Sequence, residues 1–129
     1  MRLAIGAADT RKKLLEEGKF STNGILFDVN SDKIKPASYG ILKEIATALN
    51  ENNDMHIKII GHTDSDGDDA SNLTLSKKRA DAVKAALNKE FFINNNRMET
   101  DGKGESQPVD KTNTTEGKAN NRRVEFIKL

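Results

Sequence analysis

The sequence predicts an α/β fold, a two-layer sandwich in which a mixed β-sheet carries its helices on one face, with elements in the order β-α-β-α-β-β. Three observations lead there. Compact apolar runs mark strands at Ile25–Val29, Ile57–Ile60 and Val124–Leu129. Apolar residues at helical spacing lie between the first two runs and again after the second. Polar or Gly-containing segments close the elements.

The opening, Met1 to Lys19, holds a short possible helix with Leu14 and Leu15 behind Thr10 but little apolar surface to anchor it. Residues 1–20 therefore read as a linker or fragment end, and residues 21–129 as the domain. The first strand, Ile25 to Val29, ends in the polar turn Asn30-Ser31-Asp32. Pro36 suits the first turn of a helix, where its missing N–H costs nothing. Ile41, Leu42, Ile45, Ala48 and Leu49 then keep helical spacing as far as Asn50. Ile57, Ile59 and Ile60, flanked by His56 and Lys58, give a second strand closing on Gly61 and His62. A loop from Asp64 to Ser71 leads to a second helix, from near Asn72 to Lys89, with Ala80, Val83 and Leu87 facing a core and Lys77, Lys78, Asp81 and Lys84 facing water.

A short third strand fits Arg97 to Gly102, and Arg123 to Leu129 is the last. Gly104 to Asn121 shows no periodicity, and loops that long in small domains are usually functional or disordered. The crossovers make strands one to three parallel. If the fourth is antiparallel, one edge of the sheet collects Asn30, Asp64, the aspartate loop, the long loop and Arg122, and ligands of open α/β sheets settle outside the carboxyl ends of the strands.

Composition narrows the function classes. A chain of 129 residues buries roughly two-thirds of its unfolded surface, enough for one core. Hydrophobic residues make up 35% and charged residues 32%, so folding depends on where the apolar residues fall. With 21 Lys and Arg against 20 Asp and Glu the net charge is +1, which supplies no surplus for holding a run of phosphates and argues against nucleic acid as a partner. No stretch has the apolar length of a membrane helix and no signal-peptide pattern is present. The absence of cysteine removes disulfides and thiolate chemistry and leaves the compartment open.

Several motifs are weighed and set aside. A calcium loop counted from Asp64 needs Gly at its sixth position and Glu at its twelfth, where the chain has Asp69 and Leu75; counted from Asp28, the same positions hold Lys33 and Tyr39. His62 with Asp64, Asp66 and Asp68 is the one set from which a metal-dependent hydrolase could be built, although a strand-end histidine more often makes a structural hydrogen bond. No serine sits in a nucleophile-elbow pattern. Gly102 and Gly104 begin a phosphate-loop spacing that fails at Gln107, beside the acidic Asp101 and Glu105. Asn72-Leu73-Thr74 and Asn113-Thr114-Thr115 match the glycosylation triplet by chance frequency alone. Asp64 and Arg79 remain: an acid at a strand end, and a long cation on the following helix able to lean back toward it. They could face one cleft or form a simple salt bridge.

Gly61-His62-Thr63-Asp64-Ser65-Asp66-Gly67, Asn72, Leu75-Ser76-Lys77-Lys78-Arg79-Ala80 with Val83 and Leu87, Gly102-Lys103-Gly104-Glu105 with Pro108, and Asn113 with Thr115-Glu116-Gly117-Lys118 leading into Asn120-Asn121-Arg122-Arg123-Val124 occur in one order. Together they closely resemble the OmpA-like C-terminal domain, a family that includes peptidoglycan-associated lipoprotein and the anchoring domain of flagellar stator proteins. The resemblance spans about Gly24 to Leu129. It implies an OmpA-like fold and non-covalent binding of peptidoglycan in the periplasm of a Gram-negative bacterium, without enzymatic activity or cofactor. The chain would then reach the outer membrane only through an anchor or barrel outside this sequence.

The resemblance further implies that the ligand is the diaminopimelate residue of the stem peptide, with Asp64 engaging its ammonium group and Arg79 its carboxylate. Asn30, Asn72 and Arg122 fall on positions that line the same pocket, and Thr63 and Leu75 border it. Two departures stand out: Lys118 occupies a position more often arginine in the family, and Asp64, Asp66, Asp68 and Asp69 bring more negative charge than the pocket requires. An alternative from another class is an envelope assembly domain that captures a protein and does not bind the wall.

Overall fold

The two runs with the clearest strand pattern pair with each other at the centre of one sheet. In the computed structural model, which describes residues 12–28, 30–112 and 114–129, β2 (Ile57–His62) and β4 (Arg123–Lys128) are antiparallel, with Ile59 opposite Phe126 and His62 opposite Arg123. The edges are β1 (Lys19–Thr22), antiparallel to β4, and β3 (Met98–Gly104), parallel to β2, giving the order β1-β4-β2-β3. The sheet is mixed, as expected, and β1, β2 and β3 share one direction.

Alternation assigns the faces. Ile57, Ile59, Val124 and Phe126 point to one side, where they join Leu42, Ile45 and Leu49 of α1 (Tyr39–Glu51) and Val83 and Leu87 of α2 (Asp69–Phe91) in one core. All of these except Val124 are completely buried, and each contributes about 1.5–3 kcal/mol of hydrophobic stabilisation. The seating of α2 is unusually close: a Cβ on Gly61 would collide with the carbonyl of Ser76, and one on Gly102 with the backbone of Lys77. Glycine at both places lets the helix lie directly against β2 and β3.

Several boundaries differ from expectation. Ile25 to Asp28, read as the first strand, does not enter the sheet; Val29 lies outside the described residues. The segment folds back on 33–35 through one bridge, Phe27 to Ile34, and its backbone is held at Leu26 by the buried hydroxyl of Ser38, which accepts from the Leu26 N–H at 2.7 Å. The compact apolar run there reports burial of Ile25 and half-burial of Phe27, not pairing. Lys19–Thr22 takes the edge position with a single large apolar side chain, Phe20, stacked on Phe126 at 6.4 Å.

The chain before it makes one π-helical turn, Lys13–Glu17, with Leu14 completely buried in the core; Thr10, at which the short helix was expected to begin, lies outside the described residues. The second helix starts earlier than Asn72 because Asp68 caps it, its carboxylate accepting from Ser71 N at 3.0 Å. The long stretch read as aperiodic contains a further helix, α3 (Thr115–Asn121), capped by the Thr114 hydroxyl and too short for a periodic signal. Asn113, part of the second glycosylation triplet, lies outside the described residues.

Candidate functional site

Beyond the C-terminal end of β2 the chain opens a cleft of about 550 Å³. Asn30, Thr63, Asp64, Asn72, Leu75, Arg79 and Arg122, the residues singled out in the sequence, all border it. Three segments converge there: the continuation of β2 through Thr63 and Asp64, one flank of α2, and the turn in which the Ser31 N–H donates to Asp28 O at 3.1 Å. In that turn Asn30 adopts a left-handed backbone, φ 53°, which asparagine tolerates better than most residues.

Asp64 is nearly buried and held firmly. One carboxylate oxygen accepts from the backbone N–H of Asp66 at 2.9 Å, and its carbonyl accepts from the Thr63 hydroxyl at 3.0 Å. Asn72 braces the same loop from the first turns of α2, its amide donating to Asp66 O at 2.8 Å and to Glu105 Oε1 at 3.1 Å. The other oxygen of Asp64 pairs with Arg122, whose side chain is 48% exposed. The simple salt bridge between Asp64 and Arg79 does not form.

Arg79 is held from the opposite wall. About three turns into α2, its guanidinium donates through Nε to Ser31 O at 2.9 Å and through Nη2 to Asp28 O at 3.4 Å, and it lies over the Phe27 ring at 4.8 Å. These contacts fix the plane of the fork and occupy its Nε edge. Among the described residues the Nη1–Nη2 edge has only that one Nη2 contact. Burial lowers the Arg79 pKa, and the like charge of Arg122 lowers it further, while Asp64 and Asp32 oppose the shift. Two guanidiniums and one carboxylate therefore act on each other across one partly dry space.

The surplus acids are separately engaged. Asp66 pairs with Lys118 at 2.9 Å and Asp68 caps α2, while Asp69 stands beside Glu105, and the two neighbouring carboxyl groups raise the Glu105 pKa. Lys118 thus supplies the cation that offsets Asp66. The metal-hydrolase set is not assembled: His62 faces Glu125, Asp64 Arg122 and Asp66 Lys118, and no group of three or more metal-competent side chains occurs among the described residues.

His62 behaves as the structural histidine expected of a strand end. Its Nε2 lies 2.6 Å from Glu125 Oε1, and Lys19 reaches the other oxygen of Glu125 at 3.2 Å. Burial, followed by the charge of Arg123, lowers the His62 pKa, so the ring is neutral at pH 7 and donates through Nε2–H. Its Nδ1 lone pair is buried without a partner among the described residues.

Sequence reasoning missed Phe27 and the carbonyls of Asp28 and Ser31, which orient Arg79. It also missed Asn23, whose amide donates to Arg122 O at 3.0 Å and ties the cleft wall to the end of α3. Phe27 lay inside an apolar run and was read as core, and backbone acceptors leave no mark in a sequence.

Fold and cleft define a small α/β domain with opposed charges at the carboxyl edge of its sheet. The chain belongs to the OmpA family, whose model matches residues 26–122. It is 41% identical over 101 residues to outer membrane porin F of Pseudomonas aeruginosa and 38% identical over 103 residues to the outer-membrane lipoprotein YfiB of the same species. These alignments take in 78% and 80% of the chain but 29% and 61% of the relatives, so the chain spans only part of their length. Among solved structures, the peptidoglycan-associated lipoprotein of Burkholderia pseudomallei matches with a TM-score of 0.75 and 30% identity, over 84% of this chain and 89% of that one. The cell wall anchor of the type VI secretion system (T6SS) of P. aeruginosa matches with a TM-score of 0.71 and 25% identity, over 97% and 94%.

Proposed function

We propose that this domain binds peptidoglycan non-covalently through the diaminopimelate residue of the stem peptide, without catalysis, and so anchors the outer membrane to the wall from the periplasmic side. The observation that carries the reading is that Asp64 and Arg79 face one cleft without neutralising each other. The peptidoglycan association and wall anchoring named for two structural relatives support the ligand class, and the outer-membrane relatives support the location.

The chemistry follows from the two walls. The side-chain end of diaminopimelate is a zwitterion, an ammonium and a carboxylate on one carbon, and needs an anion and a cation a few ångströms apart. Asp64, acceptor-only when ionised, takes the ammonium at the oxygen now shared with the exposed Arg122, which is a displaceable partner. Arg79, its plane already set by Phe27 and two carbonyls, offers its remaining edge to the carboxylate in fork geometry. Arg122 then turns to the same carboxylate. Asn30 and Thr63 complete the rim, Leu75 supplies apolar contact, and Asn72 holds the Asp64 loop in place.

Co-sedimentation with insoluble wall tests this. The domain should pellet with diaminopimelate-type peptidoglycan and far less with lysine-type wall, which lacks the second carboxylate. Arg79→Ala and Asp64→Asn should stay in the supernatant with unchanged circular dichroism. Equal pelleting of both variants with wild type would remove the assignment, and release of soluble muropeptides would restore the hydrolase reading.

A further inference from the structure

A second groove, of about 430 Å³, runs on from the cleft and shares Asn30 and Leu75 with it as a common wall. Ser31 and Asp32 line one side; Lys78 and Asp81 of α2 line the other. Its charges are unequally engaged. Asp81 is held by Lys77 at 2.9 Å and accepts from the Thr100 hydroxyl at 2.5 Å, on the β3 side of the helix. Asp32 lies within the field of the Arg79 guanidinium. Lys78 is the only cation among the residues lining the groove, and among the described residues neither it nor Asp32 forms a salt bridge.

Arg79 and Lys78 are adjacent on α2, and Ser31, whose carbonyl orients Arg79, also belongs with Asn30 and Asp32 to the groove's other bank. Asn30 and Leu75 thus mark one route by which a ligand held between Asp64 and Arg79 can continue out of the cleft into this groove. The part that follows the diaminopimelate side chain is its peptide-linked end, joined to residues bearing a free carboxylate: the α-carboxylate of the γ-linked glutamate on one side and the terminal D-alanine carboxylate on the other.

We propose that the groove is a second subsite, resting on the peptidoglycan reading, in which Lys78 takes a carboxylate carried by a residue amide-linked to the diaminopimelate. Asn30 and the Ser31 hydroxyl face the intervening peptide bond. The domain thus recognises a stem peptide in preference to free diaminopimelate.

Calorimetric titration of the purified chain with free meso-diaminopimelate and with the disaccharide-free tetrapeptide tests it, using wild type and Lys78→Gln. Expected are tighter binding of the tetrapeptide by wild type, a roughly two- to fivefold loss for it in Lys78→Gln as befits a partly exposed charge pair, and unchanged binding of free diaminopimelate. Two amidated tetrapeptides, one at the glutamate α-carboxylate and one at the C-terminus, identify the source: the one against which Lys78→Gln no longer differs from wild type has lost the relevant carboxylate. The proposal is overturned if Lys78→Gln binds the unmodified tetrapeptide as wild type does, or if its defect persists undiminished against each of the two amidated tetrapeptides. Failure of wild type to bind either ligand would instead sink the underlying reading, and this subsite with it.

Discussion

His62 and Asp64 stand at the end of the same strand, yet their polar surroundings are opposite in kind. His62 and Glu125 are both buried, and although Lys19 on the far oxygen of Glu125 is exposed, the hydrogen bond between the two has no ready replacement. Asp64 is equally buried but gives one carboxylate oxygen to an exposed guanidinium that water or a ligand ammonium can displace. A buried polar group with irreplaceable partners serves the fold, whereas one with an exchangeable partner at a cleft is available to a ligand.

The largest expected effect separates the two clusters by readout. Asp64→Asn should weaken wall binding by about tenfold or more, since a charge-assisted hydrogen bond contributes about 1.5–3 kcal/mol, while the urea midpoint moves little because its partner is exposed. Glu125→Ala should do the reverse. Stripping the acceptor from buried His62 should lower unfolding stability by about 1–3 kcal/mol, read by urea denaturation. If Glu125→Ala leaves stability intact and abolishes binding, the division between the clusters is wrong.

Asn72→Ala is intermediate, because it frees the loop carrying Asp64 without touching the charge. A several-fold loss of affinity with about 1 kcal/mol of destabilisation is expected. Salt gives a smaller contrast. Going from about 0.1 M to about 1 M shortens the Debye length from about 10 Å to about 3 Å, so sedimentation with wall should weaken several-fold while the buried cluster's share of stability stays nearly constant.

Acid sharpens the picture most gently. The folded-state pKa of His62 lies below its ordinary 6.5, chiefly through burial. The unfolded chain therefore takes up the proton first, and the contribution to stability, complete above that value, declines as pH falls below it. For Glu125 burial pushes upward, but the hydrogen bonds from His62 and Lys19 together outweigh it and hold the pKa below 4.5; its contribution fades at still lower pH. His62→Gln should flatten the upper part of that profile, measured as denaturation midpoint against pH.

Much of this was legible in the residues themselves. Ile57–His62 and the last strand declared themselves because alternation and β-branching coincide with burial, and α1 and α2 because their apolar stripes are long. Asp64 and Arg79 were visible as an acid and a cation bracketing a strand-to-helix crossover, although their real neighbours, Arg122 and Phe27, come from distant chain segments that spacing does not relate. The misplaced first strand shows the limit: the edge strand Lys19–Thr22 has one apolar anchor, while the more hydrophobic run after it stays off the sheet, with Ile25 buried, Leu26 exposed and the Leu26 backbone bonded to the Ser38 hydroxyl. Short capped elements such as α3 fall below the length at which period is readable.

The entry of β1 into the sheet has a mechanical corollary. Lys19 lies opposite Ile127, at the far end of the sheet from Asp64, because β4 begins beside His62 and runs away from the cleft. Tension applied ahead of residue 19 and resisted at the cleft therefore acts along the strand axes. It loads the β1–β4 ladder in shear, several hydrogen bonds sharing the force at once, instead of unzipping them one by one.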